Sequence, residues 1–140
     1  MKKIVLFLVV LIFFSGCDDE NFNNNNPYIP NYSFSIPFNL DLPLYSSLKF
    51  PGEGILYDGQ NAGSIGIIIF NTGSGFNAFD AACPNQQISS CSRLILQEPN
   101  VVCPCDEESY SLFTGLGNLE YPLKRYRVEV INESNIRVYN

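Results

Sequence analysis

The sequence predicts one small all-β domain, an antiparallel sandwich or barrel-like fold, over residues 33–140. Three observations predict it. Short apolar runs either alternate with polar residues or are rich in β-branched side chains, and turn signals made of Gly, Asn and Pro separate them at close spacing. No stretch keeps a 3.6-residue apolar period for three turns without a Gly or Pro, so helices are not expected. Strands of this length and spacing close on one another as antiparallel sheets. The length is enough for a single core, and no internal repeat is present.

Each element has its own reason. Ser33 to Leu42 alternates, placing Phe34, Ile36, Phe38, Leu40 and Leu42 on one face. Ser64 to Phe70 is β-branched and apolar, residues 71–75 (NTGSG) form a turn, and Phe76 to Ala82 pairs back as a hairpin. Arg93 to Gln97 and Asn100 to Cys103 flank a short turn at Glu98 and Pro99. Arg127 to Ile131 and Ile136 to Tyr139 alternate and are joined by residues 132–135 (NESN), a second hairpin. The glycines near Thr72 and Thr114 read as turn residues; no helix follows them to supply the positive end that a phosphate loop needs.

The segment before the domain carries an address. Lys2 and Lys3 precede an unbroken apolar run from Ile4 to Phe14, which narrows to Ser15, Gly16 and Cys17. This is the layout of a secretory signal, and the run falls short of the 18 to 20 residues, roughly, that a spanning helix needs. Small residues directly before a cysteine resemble the lipobox of bacterial lipoproteins, although Phe14 is bulkier than the Leu usual at that position. The resemblance implies cleavage after residue 16, acylation at Cys17 with palmitate-type chains, and an extracytoplasmic protein tethered to a membrane, the outer membrane or cell surface being expected. Each buried methylene contributes about 0.8 kcal/mol, so two or three chains anchor firmly. The acidic cluster Asp18, Asp19, Glu20 resembles a surface-export tag and equally suits a solvated linker. Residues 17–32, rich in Asn with Pro27 and Pro30, read as a lipidated, disordered tether.

Charge narrows the partners. Removing residues 1–16 takes away two lysines and leaves six basic groups against 14 acidic ones, a formal charge of −8. Such a chain cannot neutralise phosphates, so nucleic acid is not expected as a partner; an envelope protein of unknown identity is. Lys124, Arg125 and Arg127 form the one basic cluster and read as a solvent face, with an acidic partner as the alternative.

Four cysteines besides Cys17 lie in two pieces, Cys83-Pro84-Asn85-Gln86 with Cys91 following, and Cys103-Pro104-Cys105-Asp106. Two loops that each open with Cys-Pro at a strand end, followed by Tyr110-Ser111-Leu112-Phe113-Thr114-Gly115 and by Tyr121-Pro122-Leu123 before the last hairpin, resemble the Rieske iron–sulfur domain. In that family the loops read C-x-H and C-x-x-H. The resemblance covers about residues 64–140 and implies a Rieske-like fold, with Cys83, Asn85, Cys103 and Asp106 standing at the four ligand positions. A Rieske centre holds one iron by two thiolates and the other by two imidazoles. This chain contains no histidine, and an amide oxygen with a carboxylate cannot replace two imidazoles. The expectation is therefore a degenerate member with no metal, no cofactor and no catalytic residue.

In the parent architecture the sulfurs of Cys83 and Cys103 share an iron, and without it two close thiols remain in an oxidising compartment where disulfides persist. Some family members also bond a cysteine at the place of Cys105 to one in the first loop, for which Cys91 is available. The resemblance thus implies Cys83–Cys103 and Cys91–Cys105 among three pairings, each bridge contributing roughly 3 kcal/mol. The functional expectation is a non-enzymatic binding or structural module. One alternative is an electron carrier with an atypical 2Fe–2S or similar cluster held by the four cysteines, against which stands the two-residue spacing of Cys103 and Cys105. Another makes Cys103-Pro104-Cys105 a thiol–disulfide pair, disfavoured by the anionic neighbours Asp106, Glu107 and Glu108. Those three acids read as a solvated loop face. Without histidine a hydrolytic triad is excluded.

Overall fold

The computed structural model describes residues 24–140. The expected leader 1–16, the lipidation residue Cys17 and the acidic cluster Asp18 to Glu20 lie outside the described residues. Among the described residues the elements are β1 (Ser35–Asn39), one turn of 3-10 helix (Ser46–Lys49), β2 (Gly54–Tyr57), β3 (Ile67–Asn71), β4 (Phe76–Asp80), β5 (Ile95–Gln97), β6 (Asn100–Val102), β7 (Ser109–Ser111), β8 (Arg125–Asn132) and β9 (Asn135–Tyr139). No helix among them is long and apolar enough to cross a membrane. The fold is all-β, as the patterning predicts.

All pairings are antiparallel. Six strands form a sheet in the order β1-β9-β8-β4-β3-β2, and β5-β6-β7 form a second, smaller sheet. β4 and β8 pair only at Ala78 with Tyr126 and Phe79 with Arg125, whereas β3 and β4 pair over five positions. The larger sheet therefore joins two ribbons at a narrow seam.

β3 organises both cores. Ile67 and Ile69 face a cluster with Phe34, Phe38, Leu48, Tyr126, Ile136 and Val138. Ile68 and Phe70 face the opposite way, onto Phe79, Leu94, Val101, Tyr110, Leu112 and the two loop cysteines Cys83 and Cys103. A strand covered on both faces needs a continuous apolar run in place of alternation, which is what this segment supplies. Each such side chain contributes about 1.5–3 kcal/mol on burial. The second cluster is the floor on which the cysteine loops rest.

Three expectations are corrected. β1 ends at Asn39, whose side-chain oxygen accepts the backbone N–H of Asp41 at 2.9 Å, so the chain turns before the expected strand is complete. Phe34, Phe38 and Leu40 are buried as the alternation requires, but Leu42 is exposed. Residues 24–32, expected to be the disordered end of a tether, are instead packed against the domain. Ile29 is buried, Asn26 donates to the carbonyl of Pro84 at 2.8 Å, and Asn24 exchanges hydrogen bonds with the backbone of Arg125.

The third correction concerns Lys124, which is no solvent-face cation. It is 2% exposed, and its ammonium donates to the carbonyls of Ile29 (3.1 Å) and Pro30 (2.8 Å) and to Oδ1 of Asn31 (2.5 Å). Burial pushes its pKa down, and the nearby Asp80 carboxylate opposes that shift. Arg127 is exposed, while Arg125 is half-buried with its guanidinium over the Phe79 ring at 5.4 Å.

Candidate functional site

Two loops, residues 83–94 and 103–108, meet at one end of the smaller sheet, and the later part of a third, residues 112–123, runs back to them from the sheet's other end. The first, residues 83–94, leaves the large sheet after β4 and is fixed where it begins and ends: Cys83 N–H donates to the Ser92 carbonyl at 2.8 Å, and Leu94 N–H to the Ala81 carbonyl at 2.8 Å. The second, residues 103–108, joins β6 to β7 and closes on itself, with Cys103 N–H donating to the Glu108 carbonyl and Glu107 N–H to the Cys103 carbonyl, both at 2.9 Å. The third, residues 112–123, follows β7. Its glycines permit a close approach: Gly115 has φ +77° against the Phe79 ring, and a Cβ on Gly117 would lie 2.6 Å from Cδ1 of Tyr110.

Two disulfides tie the first loop to the second. Cys83 is bonded to Cys103 with Cα atoms 5.6 Å apart, and Cys91 to Cys105 with Cα atoms 5.2 Å apart, both ordinary spacings for a bridge. The two bridges differ in surroundings. Cys83 and Cys103 are fully buried in the second core cluster, while Cys105 is half-buried and Cys91 exposed. Sγ atoms of Cys83, Cys103 and Cys105 lie within 4.8 Å of one another. Around them stand Ser89, with Oγ 3.3 Å from Cys91 Sγ and 3.8 Å from Cys105 Sγ, and Gln86, whose amide nitrogen is 3.8 Å from Cys103 Sγ.

Asn85, at the first of the two positions where the resemblance expects imidazole, has another occupation. Its Nδ2 donates to the Tyr110 hydroxyl at 2.9 Å and to the Tyr121 carbonyl at 2.8 Å, while its Oδ1 accepts the Tyr121 N–H at 2.8 Å. One amide thus clamps the first loop to the third and to β7, using its donor and its acceptor ends together. Burial raises the Tyr110 pKa; the Asn85 hydrogen bond pulls it down, and the charges of Asp106 and Glu108 push it further up. Asp106, at the second position, is exposed and its Oδ1 accepts the Glu108 N–H at 3.0 Å, which shapes the turn. Glu108 in turn accepts the N–H of Asn118 at 2.5 Å, joining the second loop to the third.

Away from the loops, Asp80 is a fully buried carboxylate that sequence patterning did not single out. It accepts Ala82 N–H (2.8 Å), Ser64 N–H (2.7 Å) and the Tyr126 hydroxyl (2.5 Å). Burial, then the Asp80 charge, then the hydrogen bond to it raise the Tyr126 pKa. This hub fastens β4 to β8 across the narrow seam. Its signal in the sequence is only an acid ending an apolar strand, Phe76 to Asp80, which is too common to point to a partner at residue 126.

No protein-family model and no curated protein matches the sequence. Solved structures do. The quaternary ammonium Rieske monooxygenase CntA in complex with gamma-butyrobetaine aligns with a TM-score of 0.52 at 14% identity, over 86% of this chain and 36% of that one. Its apo form aligns with the same score and identity over 80% and 34%. The ferredoxin of carbazole 1,9a-dioxygenase from Nocardioides aromaticivorans IC177 aligns with a TM-score of 0.46 at 16% identity, over 77% and 97%. At these identities the likeness is one of architecture. The domain has a Rieske-like fold and spans about a third of the monooxygenase chain.

The expectation of no cofactor is corrected by these findings together. It rests on the missing imidazoles alone, whereas the fold aligns with that of a Rieske monooxygenase and the loops gather three cysteine sulfurs within 4.8 Å of one another. What the side chains do decide is the type of ligand set. A mixed nitrogen–sulfur set does not fit here: Asn85 spends its amide on Tyr110 and Tyr121, and Asp106 turns its carboxylate into its own loop. The donor set on offer is cysteine sulfur, free to ligate once the bridges open.

Proposed function

We propose that this chain is an extracytoplasmic lipoprotein, acylated at Cys17, whose Rieske-like domain serves as a non-enzymatic binding or structural module facing an envelope partner with its three-loop end. The observation that carries this reading is the Asn85 clamp. At a position where the resemblance expects a ligand, the side chain holds one loop to another, so the end is built as a fixed surface. Ile88 on the first loop and Leu119 on the third, next to Asn118 and close to Tyr121, are exposed there. Polar loops bearing exposed apolar side chains on a rigid base are suited to protein contact.

Two measurements test the reading. Radiolabelled palmitate enters the wild-type protein in a bacterial host and does not enter the Cys17→Ser variant, which moves from the membrane to the soluble fraction; labelling that survives the substitution removes the anchor. A photo-reactive residue at Leu119 in the membrane-bound protein gives a discrete cross-linked species that one at Val130 does not give. Equal, diffuse labelling from both removes the loop end as a docking surface.

A second reading is favoured by one observation, the Cys83, Cys103 and Cys105 sulfurs within 4.8 Å. It is an electron carrier whose iron is held by cysteines alone, four thiolates being the commonest cluster set. Protein purified anaerobically under reducing conditions then carries iron and absorbs in the visible. Colourless, iron-poor protein under those conditions rejects it.

A further inference from the structure

The four cysteines form a gradient of access. Cys91 is exposed, Cys105 half-buried, and Cys83 and Cys103 are fully buried beneath them. Sγ of Cys105 belongs to both groups: it is bonded to Cys91, and it lies within 4.8 Å of each sulfur of the inner bridge. We infer that the pair of bridges is a thiol–disulfide relay, in which an incoming dithiol opens Cys91–Cys105 at the surface and Cys105 passes the exchange to Cys83–Cys103. The reductant this site takes is a dithiol, small or on a protein.

The chemistry balances step by step. A thiolate of the dithiol attacks Cys91 Sγ; a bond forms between them, the Cys91–Cys105 bond breaks, and its electron pair leaves on Cys105 as thiolate. The second thiolate of the dithiol closes its own disulfide and releases Cys91. Two electrons have moved from the dithiol to the outer bridge, and protons from the dithiol reach the freed thiols through water. The Cys105 thiolate next attacks Cys83 Sγ, forming Cys83–Cys105 and releasing Cys103 as thiolate. That step moves no net electrons. It converts a buried bridge into one that includes a half-buried cysteine, which a second dithiol can reduce.

The surroundings serve this order. Sulfurs of a fully buried bridge are closed to a thiolate from solution, and exchange rates follow access as well as thiolate character. Ser89 Oγ stands between Cys91 and Cys105 at 3.3 and 3.8 Å, so one hydroxyl can donate to whichever sulfur carries charge. Ser92 Oγ is 3.9 Å from Cys105 Sγ. The acids Asp106, Glu107 and Glu108 oppose a thiolate at Cys105 electrostatically, which makes the relay slow without blocking it.

The test uses the folded oxidised chain. It is treated with graded dithiothreitol, quenched by alkylation at successive times, and mapped by mass spectrometry without reduction. The relay predicts alkylation first at Cys91 and Cys105, then a transient species with a Cys83–Cys105 bridge and label on Cys91 and Cys103. In a Cys91→Ser, Cys105→Ser variant whose circular dichroism matches wild type, opening of Cys83–Cys103 slows at least tenfold. If that bridge opens equally fast in the variant, or the wild type yields all four thiols together without the Cys83–Cys105 species, the relay is wrong. The transient species is read in the wild type, so the test stands even if the variant does not fold.

Discussion

Replacing Asn85 by Ala removes three hydrogen bonds at once: two donated by its amide, to the Tyr110 hydroxyl and the Tyr121 carbonyl, and one accepted from the Tyr121 N–H. At about 1 kcal/mol net for each bond the loss is near 3 kcal/mol. Tyr110 is fully buried, so its hydroxyl cannot recover the partner from solvent, whereas Tyr121 is half-buried and its backbone regains part of the loss from water. The expected destabilisation is therefore about 2 kcal/mol, roughly a thirtyfold change in the folding equilibrium. With a urea m-value of about 1.5 kcal/mol per molar, the midpoint drops by about 1.3 M. The assay is urea unfolding of wild type and Asn85→Ala with both disulfides intact, followed by Tyr fluorescence and circular dichroism. A cycle with Tyr110→Phe isolates the hydroxyl contact, with an expected coupling near 1 kcal/mol. A midpoint shift under about 0.3 M refutes the idea that this side chain holds the loops together.

Two further outcomes follow from buried groups. Lys124→Ala frees the carbonyls of Ile29 and Pro30 and the side chain of Asn31, so residues 24–32 become susceptible to limited proteolysis while the disulfide-tied loops stay resistant; unchanged cleavage would show that the lysine does not dock that segment. Tyr126 has its pKa raised in the folded chain by burial and by Asp80, so the unfolded chain loses its phenolic proton first as pH rises. The stability tied to this group is fully present below the ordinary phenol pKa of about 10 and is lost progressively above it. Stability measured between pH 9 and 11.5 should fall more steeply in wild type than in Tyr126→Phe. Equal slopes would contradict the shift.

The strands that were legible in the sequence were those whose pattern is local. The hairpins β3–β4 and β8–β9 show a β-branched or alternating run, a turn of Gly or Asn, and a second run. β2 was missed because Gly54 to Tyr57 is four residues long, opens on a glycine and has no clear period; its strand character comes from lying against β3. Lys124 was misread because it sits among arginines in an apparently basic stretch, while the carbonyls that bury it belong to residues more than ninety positions earlier. Asn85 shows the same limit. The resemblance marked its position by what is missing there, a histidine, yet its real partner is 36 residues away and no local pattern points to it.

The cysteines were legible only through the resemblance, since spacing alone leaves three pairings open. Access to each sulfur depends on burial, and no one-dimensional pattern distinguishes exposed Cys91 from buried Cys83. The lesson for the cofactor is chemical. Absent imidazoles exclude a mixed nitrogen–sulfur ligand set, but they say nothing of sulfur, and the fold gathers sulfur at the loop end.

The account stands or falls on the state of four cysteines at the end of a Rieske-like fold. Non-reducing peptide mapping of the purified full-length protein, with metal content measured on the same sample, tests it most directly. The account predicts peptides joined Cys83 to Cys103 and Cys91 to Cys105. Cys83 joined to Cys91, or four unbridged cysteines in protein free of metal, would contradict it.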